Sequence, residues 1–153
     1  MSGPLAVIHN VSSVQRLVDM AKIVISMNMD SLVATKVYGA AAQSGIAEAY
    51  RMLLKAGKGL VVLPDLRDAV EVFRPSQVLL LDKDHANELI DPLDITLDQQ
   101  VMFVFNGSDT PFSPQELSLG KPVYIRGLTS RAGSTVEASI LLYGVARKLE
   151  IKP

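Results

Sequence analysis

Short runs of consecutive apolar residues alternate along this chain with stretches in which apolar positions recur every three or four residues. The runs are Leu5–His9, Leu32–Val37, Leu60–Leu63, Val78–Leu81, Val101–Phe105 and Pro122–Ile125. Between the first two, Val14, Leu17, Val18, Ala21, Val24 and Ile25 follow the i, i+3, i+4, i+7 rhythm of one helix face. Ser12 or Ser13 can cap that helix. A second helix is predicted over about Ala41–Ala56, with Gly57 as its left-handed stop. Asp65 caps a short third helix bearing Leu66, Ala69, Val70 and Phe73 on one face, ended at Arg74 because Pro75 follows. A long last helix spans about Ser134–Leu149.

Six strand-like runs alternating with helices predict an α/β domain, a mostly parallel sheet of about six strands with helices on both faces. The runs are continuously apolar rather than alternating, as strands covered on both sides require. No Pro/Gly/Ser linker interrupts the pattern, so residues 1–153 are expected to form one domain.

Composition narrows the chemistry. With no Cys there is no disulfide, no thiol nucleophile and no Cys-ligated zinc or iron–sulfur site. No run of 18 or more uninterrupted apolar residues and no signal-peptide pattern is present, so no membrane partner is expected and a cytoplasmic location is. Fifteen basic and sixteen acidic residues give a net charge of −1, so a polyanion would have to meet a local basic patch.

In open parallel sheets ligands bind beyond the carboxyl ends of the strands. That places attention on Asn10, Lys36, Asp82–Asp84, Asn106–Asp109 and Arg126–Ser134. Neither G-x-x-x-x-G-K-[ST] nor G-x-G-x-x-G occurs, which removes P-loop and ordinary dinucleotide-binding readings, and there is no G-x-S-x-G elbow. After Val123–Ile125 a loop holding Gly127 and Gly133 leads into Ser134-Thr135-Val136-Glu137, an S-x-x-E capping box. The helix beyond is apolar over a wide arc (Val136, Ala138, Ile140, Leu141, Leu142, Val145, Leu149), which requires cover by other segments or by a second subunit.

This last stretch, ending in Ile140-Leu141-Leu142-Tyr143-Gly144, resembles the final motif of the SpoU branch of the SPOUT methyltransferases, I-P-x, a loop, S-L-N-V-S and A-A-x-I-L-L-Y-E. Aligned on that end, Thr135, Gly133 and Arg131 stand where the family has Ser, Asn and Ser. Val101–Leu117 is similar to the family's strand followed by L-G-x-E-x-x-G-L-S-P-E-L, with Gly107 at the first Gly, Asp109 at the Glu and Pro111 near the second Gly. Ala6–Ala21 resembles N-x-G-x-x-x-R-T-A, matched by Asn10 and Arg16 without the Gly.

The resemblance implies a carboxy-terminal deep trefoil knot, no appended RNA-binding domain, and a homodimer through the knot helices. It implies S-adenosylmethionine as cofactor, contacted by Leu81, Asp82, Gly107, Ile125, Arg126, Leu128 and Ser134. The implied activity is RNA methylation, of a ribose 2′-hydroxyl in tRNA or rRNA. Arg16 would bind the target phosphate or assist deprotonation and Asn10 would orient, with RNA contacts from Arg16, Lys121, Arg126 and Arg131. No metal is expected on this reading. On the residues alone, Arg16 reads as a solvated arginine and His9 as a packed histidine at a strand end.

Two alternatives stand beside it. One is a Mg²⁺-dependent nuclease or phosphoesterase, for which Asp82, Asp84, His85, Glu88, Asp91 and Asp94 supply hard ligands, or else a solvated acidic connection. A P-D…E-x-K pattern exists as Pro64-Asp65 and Glu150-Ile151-Lys152, about 85 residues apart. The other is a catalytically silent S-adenosylmethionine- or RNA-binding module of the same fold.

Overall fold

The computed structural model describes residues 3–95 and 100–151, with only the backbone of Ile151. Among the described residues seven strands form one sheet: β1 (Leu5–Val11), β2 (Ser31–Val37), β3 (Gly59–Leu63), β4 (Gln77–Leu81), β5 (Glu88–Ile90), β6 (Val101–Asn106) and β7 (Lys121–Ile125). Their order is β3-β2-β1-β6-β4-β7-β5, and every pairing is parallel. Six strands coincide with the apolar runs. The seventh, β5, falls in the acidic stretch that was expected to be a connection. It is three residues long with Glu88 and Leu89 exposed, so it carries almost no hydrophobic signal.

The helices divide between the two faces. Helix α1 (Val14–Ser26) is capped by the Ser13 hydroxyl, which accepts from the Arg16 amide, a bond worth about 1 kcal/mol. It buries Leu17, Val18, Met20, Ala21 and Val24. Helix α2 (Ile46–Lys55) continues from a π-helical turn over Ala41–Gly45, and α5 (Ser134–Ile151) crosses the same face, where Ala49, Leu53, Ala138, Leu141 and Val145 join one core with Ile8, Phe103 and Phe105. Helix α3 (Leu66–Phe73) covers the other face with Leu66 and Ala69 against Val7, Val33, Leu80 and Val104. It ends at Arg74, whose φ is +46° before Pro75. The short α4 (Pro114–Leu117) is held by a reciprocal box between Ser113 and Glu116.

Helix α5 hides one side and leaves Val136, Ile140, Tyr143 and Leu149 exposed. Gly144, where the resembled motif carries Glu, has a spatial reason. A Cβ there would lie 2.3 Å from the Cβ of Pro92, which opens the 3-10 turn Pro92–Asp94 packed on the helix. Among the described residues no helix is long and apolar enough to cross a membrane.

Candidate functional site

Three neighbouring strands bring chemistry to their carboxyl ends. His9 on β1 stands opposite Thr35 on β2, and both are buried. The next residues, Asn10 and Lys36, both adopt left-handed backbone, with φ +65° and +51°. Asn tolerates that region; for Lys it costs about 1–2 kcal/mol, so the surrounding structure must hold it. The Lys36 amide donates to the carbonyl of Pro64 at 3.1 Å, which fastens the turn after β3 beside β2. Asp65 follows directly.

Here the carboxylates of Asp65 and Glu116 and the imidazole of His9 converge, with one ligand atom from each within 4.8 Å of the others. His9 Nε2 lies 2.6 Å from Glu116 Oε2, and its Nδ1 lies 2.7 Å from Thr35 Oγ1. Phe112 stacks beside the imidazole at 6.2 Å between ring centres. Burial works to raise the Glu116 carboxyl, but the Ser113 amide, the His9 contact and the Lys36 charge outweigh it and hold the group below its ordinary value. Glu116 is therefore a carboxylate. Asp65 also accepts the Leu66 amide at 2.8 Å as the cap of α3, which fixes its orientation.

Arg16 points to the same strand ends from α1. Its Nη1 donates to the Gly107 carbonyl at 2.8 Å and its Nη2 stands 3.7 Å from Asp109, while two-fifths of its side chain remains exposed. Asn10 Nδ2 donates to Ser108 Oγ at 3.1 Å. Gly107 is packed rather than open: a Cβ there would meet Val11 Cβ at 2.9 Å and the His9 carbonyl at 3.0 Å. Arg16, Asn10 and Gly107 thus form one group.

A cleft of about 380 Å³, sharing Ser108, Asp109 and Phe112 with these groups, opens beyond β4, β6 and the start of α5. Leu81, Asp82 and Ser134 line it with Arg131, Asp84, Asp109 and Glu137. Gly107, Ile125, Arg126 and Leu128 do not, so three of the seven residues expected around S-adenosylmethionine gather there and four lie outside. Glu137 is turned inward onto Tyr124 Oη at 2.7 Å and onto the amides of Ala132 and Gly133. Burial raises its carboxyl above the ordinary value, and burial together with Glu137 pushes the Tyr124 hydroxyl to about 12.

Of the basic residues expected to meet RNA, Lys121 and Arg131 stand beside carboxylates, as Arg16 does. Lys121 pairs with Glu88 at 3.1 Å, at the amino end of β7, and Arg131 stands 3.8 Å from Asp84. Arg126 shares a different cavity with Lys121, and its amide donates to the Ile90 carbonyl.

The acidic run considered for Mg²⁺ is likewise occupied locally. Asp82 holds His85 at 2.7 Å and the Asp84 amide, and Asp91 accepts the Leu93 amide. Lys152 of the P-D…E-x-K pattern lies outside the described residues. The carboxylate that meets Asp65 is Glu116. The P-D dipeptide was the legible signal for this site. His9, Thr35 and Glu116 had none beyond their places in a strand and a short capped helix.

Residues 39–144 match the model of a family described as RecB-family nuclease (DUF2122). The chain belongs to that family. A relative from Aeropyrum pernix, named "Putative type II restriction enzyme", is 46% identical over 144 residues, covering 94% of this chain and 92% of the relative. A protein of the same description from Methanocaldococcus jannaschii is 31% identical over 143 residues, covering 93% and 95%. Among solved structures, the SpoU methyltransferase AviRb from Streptomyces viridochromogenes superposes with a TM-score of 0.75 at 16% identity, covering 97% of this chain. This chain spans only 61% of AviRb. AviRb in complex with AdoMet gives 0.74 at 16% identity, and the A. aeolicus TrmH/SpoU tRNA modifying enzyme gives 0.70 at 12%.

Those structures establish that this RecB-family nuclease relative has the SpoU/TrmH fold. They do not carry the activity across, because one backbone supports unrelated sites. The expectation of an S-adenosylmethionine-dependent RNA methyltransferase is corrected accordingly. The family model that matches is described as a nuclease and the relatives that share the sequence over more than nine-tenths of the chain are named as type II restriction enzymes, whereas the methyltransferases share the fold at 10–16% identity.

Proposed function

We propose that this protein is a divalent-cation-dependent nuclease that hydrolyses nucleic-acid phosphodiesters at the carboxyl ends of β1, β2 and β3. The observation that carries the reading is the convergence of His9, Asp65 and Glu116 within 4.8 Å. The family description and the names of the two relatives support it.

The donors fit a cation by their chemistry. Two carboxylates and one imidazole from three separate elements, with one donor atom from each within 4.8 Å of the others, can share one ion that would take the place of the His9–Glu116 hydrogen bond. Imidazole suits Mn²⁺ better than Mg²⁺, so of these two ions Mn²⁺ is favoured. When bound, such an ion lowers the pKa of water and polarises the phosphoryl oxygens.

The chain's own groups perform the remaining work. Asp65 is oriented by capping α3, and Glu116 is kept ionised by the Ser113 amide and the charge of Lys36. Lys36 is exposed beside Glu116, where its ammonium can bind a backbone phosphate and offset the negative charge that grows on it during displacement. Arg16, anchored at Gly107 with exposed edges, presents a second cation for a neighbouring phosphate.

The test is cleavage of supercoiled plasmid DNA and of single-stranded RNA with Mn²⁺ or Mg²⁺ and with EDTA. Mn²⁺-dependent scission, abolished by EDTA and by Asp65→Asn, is expected. No cleavage of either nucleic acid with either cation would overturn the reading.

A further inference from the structure

Thr35 is fully buried in β2, and its hydroxyl oxygen lies 2.7 Å from His9 Nδ1. The opposite ring nitrogen faces the Glu116 carboxylate at 2.6 Å. A carboxylate only accepts, so in a neutral ring without a cation the proton sits on Nε2 and the Thr35 hydroxyl donates to Nδ1. A cation held by Asp65, Glu116 and His9 would reverse both roles. Nε2 would have to present its lone pair, the ring proton would sit on Nδ1, and Thr35 Oγ1 would then accept it. One proton leaves Nε2 for water and one arrives from water at Nδ1, so the two transfers balance. Among side chains of this size, a hydroxyl serves in either direction; valine has the same shape and serves in neither.

We propose that Thr35 is a positioning residue that allows His9 to change tautomer when a divalent cation is captured, so that the cation site forms only because a hydroxyl backs the imidazole. The inference rests on the nuclease reading's cation site and deepens it. The fit is tight for a physical reason. His9 and Thr35 are register partners on paired strands, and Phe112 stacks on the ring, so the imidazole cannot turn away to find another partner. Partners of this kind set the tautomer of ligating histidines and alter metal affinity by about 10–100-fold.

The experiment uses the whole chain. Ring ¹⁵N shifts of His9 are recorded without and with Zn²⁺, and Mn²⁺ affinity is measured by calorimetry for the wild type, Thr35→Ser and Thr35→Val. The expected result is an Nε2–H ring that becomes Nδ1–H with Zn²⁺. Thr35→Ser should bind Mn²⁺ within about threefold of wild type, and Thr35→Val about tenfold or more weakly. A Thr35→Val protein that binds Mn²⁺ as wild type does would overturn the role of Thr35 and leave the nuclease reading standing. An imidazole already protonated at Nδ1 without cation would do the same. If neither ion binds the wild type, the cation site falls and this role falls with it. Should Thr35→Val fail to fold, the Zn²⁺-dependent change of tautomer in the wild type decides.

Discussion

His9 and Glu116, separated by 107 positions in the chain, meet with Nε2 and Oε2 2.6 Å apart. The contact joins the middle of the sheet to the first turn of α4, and Asp65 at the start of α3 completes a three-element cluster around it.

Removing a ligand without disturbing the fold should separate chemistry from stability. Asp65→Asn keeps a side chain that caps helices about as well as Asp, so unfolding in denaturant should shift by no more than about 0.5 kcal/mol. Mn²⁺-dependent cleavage should fall roughly 10²–10³-fold, the scale of one lost transition-state group. Equal activity in wild type and variant would remove Asp65 from the site.

Lys36 carries both a charge and a strained backbone, and Lys36→Gly divides the two. Glycine adopts φ +51° freely, so the variant should be as stable as wild type or up to about 1 kcal/mol more stable. Cleavage should nevertheless drop, and the dependence of nucleic-acid binding on log salt should flatten by about one unit of slope. An unchanged slope would place Lys36 off the phosphate path.

Glu116 ties the site to acid stability. Its folded carboxyl lies below the ordinary 4.5, so its stabilising contribution is complete above that value and disappears as pH falls through the lowered one. Thermal unfolding between neutral pH and pH 3 should therefore show a smaller acid-side loss in Glu116→Gln than in wild type. Parallel curves would contradict the stabilisation of ionised Glu116 by the Ser113 amide, His9 and Lys36.

Gly144→Ala places a methyl group 2.3 Å from Pro92 Cβ and 2.8 Å from its Cγ. Overpacking of this kind should destabilise by about 1–3 kcal/mol. The same substitution in a Pro92→Gly background should cost markedly less, because the opposing atoms are gone; equal costs in a double-mutant cycle would show that the clash is not felt.

Much of the scaffold was legible. Continuous apolar runs marked β1, β2, β3, β4, β6 and β7, and the Asp65 cap and Pro75 bounded α3. Strand β5 was not legible, because edge position and burial of Ile90 alone leave no periodic signature. The site was read only in fragments. Asn10, Arg16 and Gly107 do come together, through Arg16 on the Gly107 carbonyl, while Lys121 and Arg131 stand in exposed pairs with Glu88 and Asp84. Asp65 was visible as a helix cap and as half of a P-D pattern, but its partner was sought at Glu150.

Local patterning by itself determined a parallel α/β domain, because strands buried on both faces must be apolar throughout and helices that cover them must be apolar on one side. Tertiary structure alone decided that β1 lies between β2 and β6, that Asn10 and Lys36 turn left-handed side by side, and that Thr35, His9 and Glu116 stand in line. These are contacts between elements 26 and 107 residues apart. Periodicity records which face of a residue is buried, not which distant side chain it is buried against.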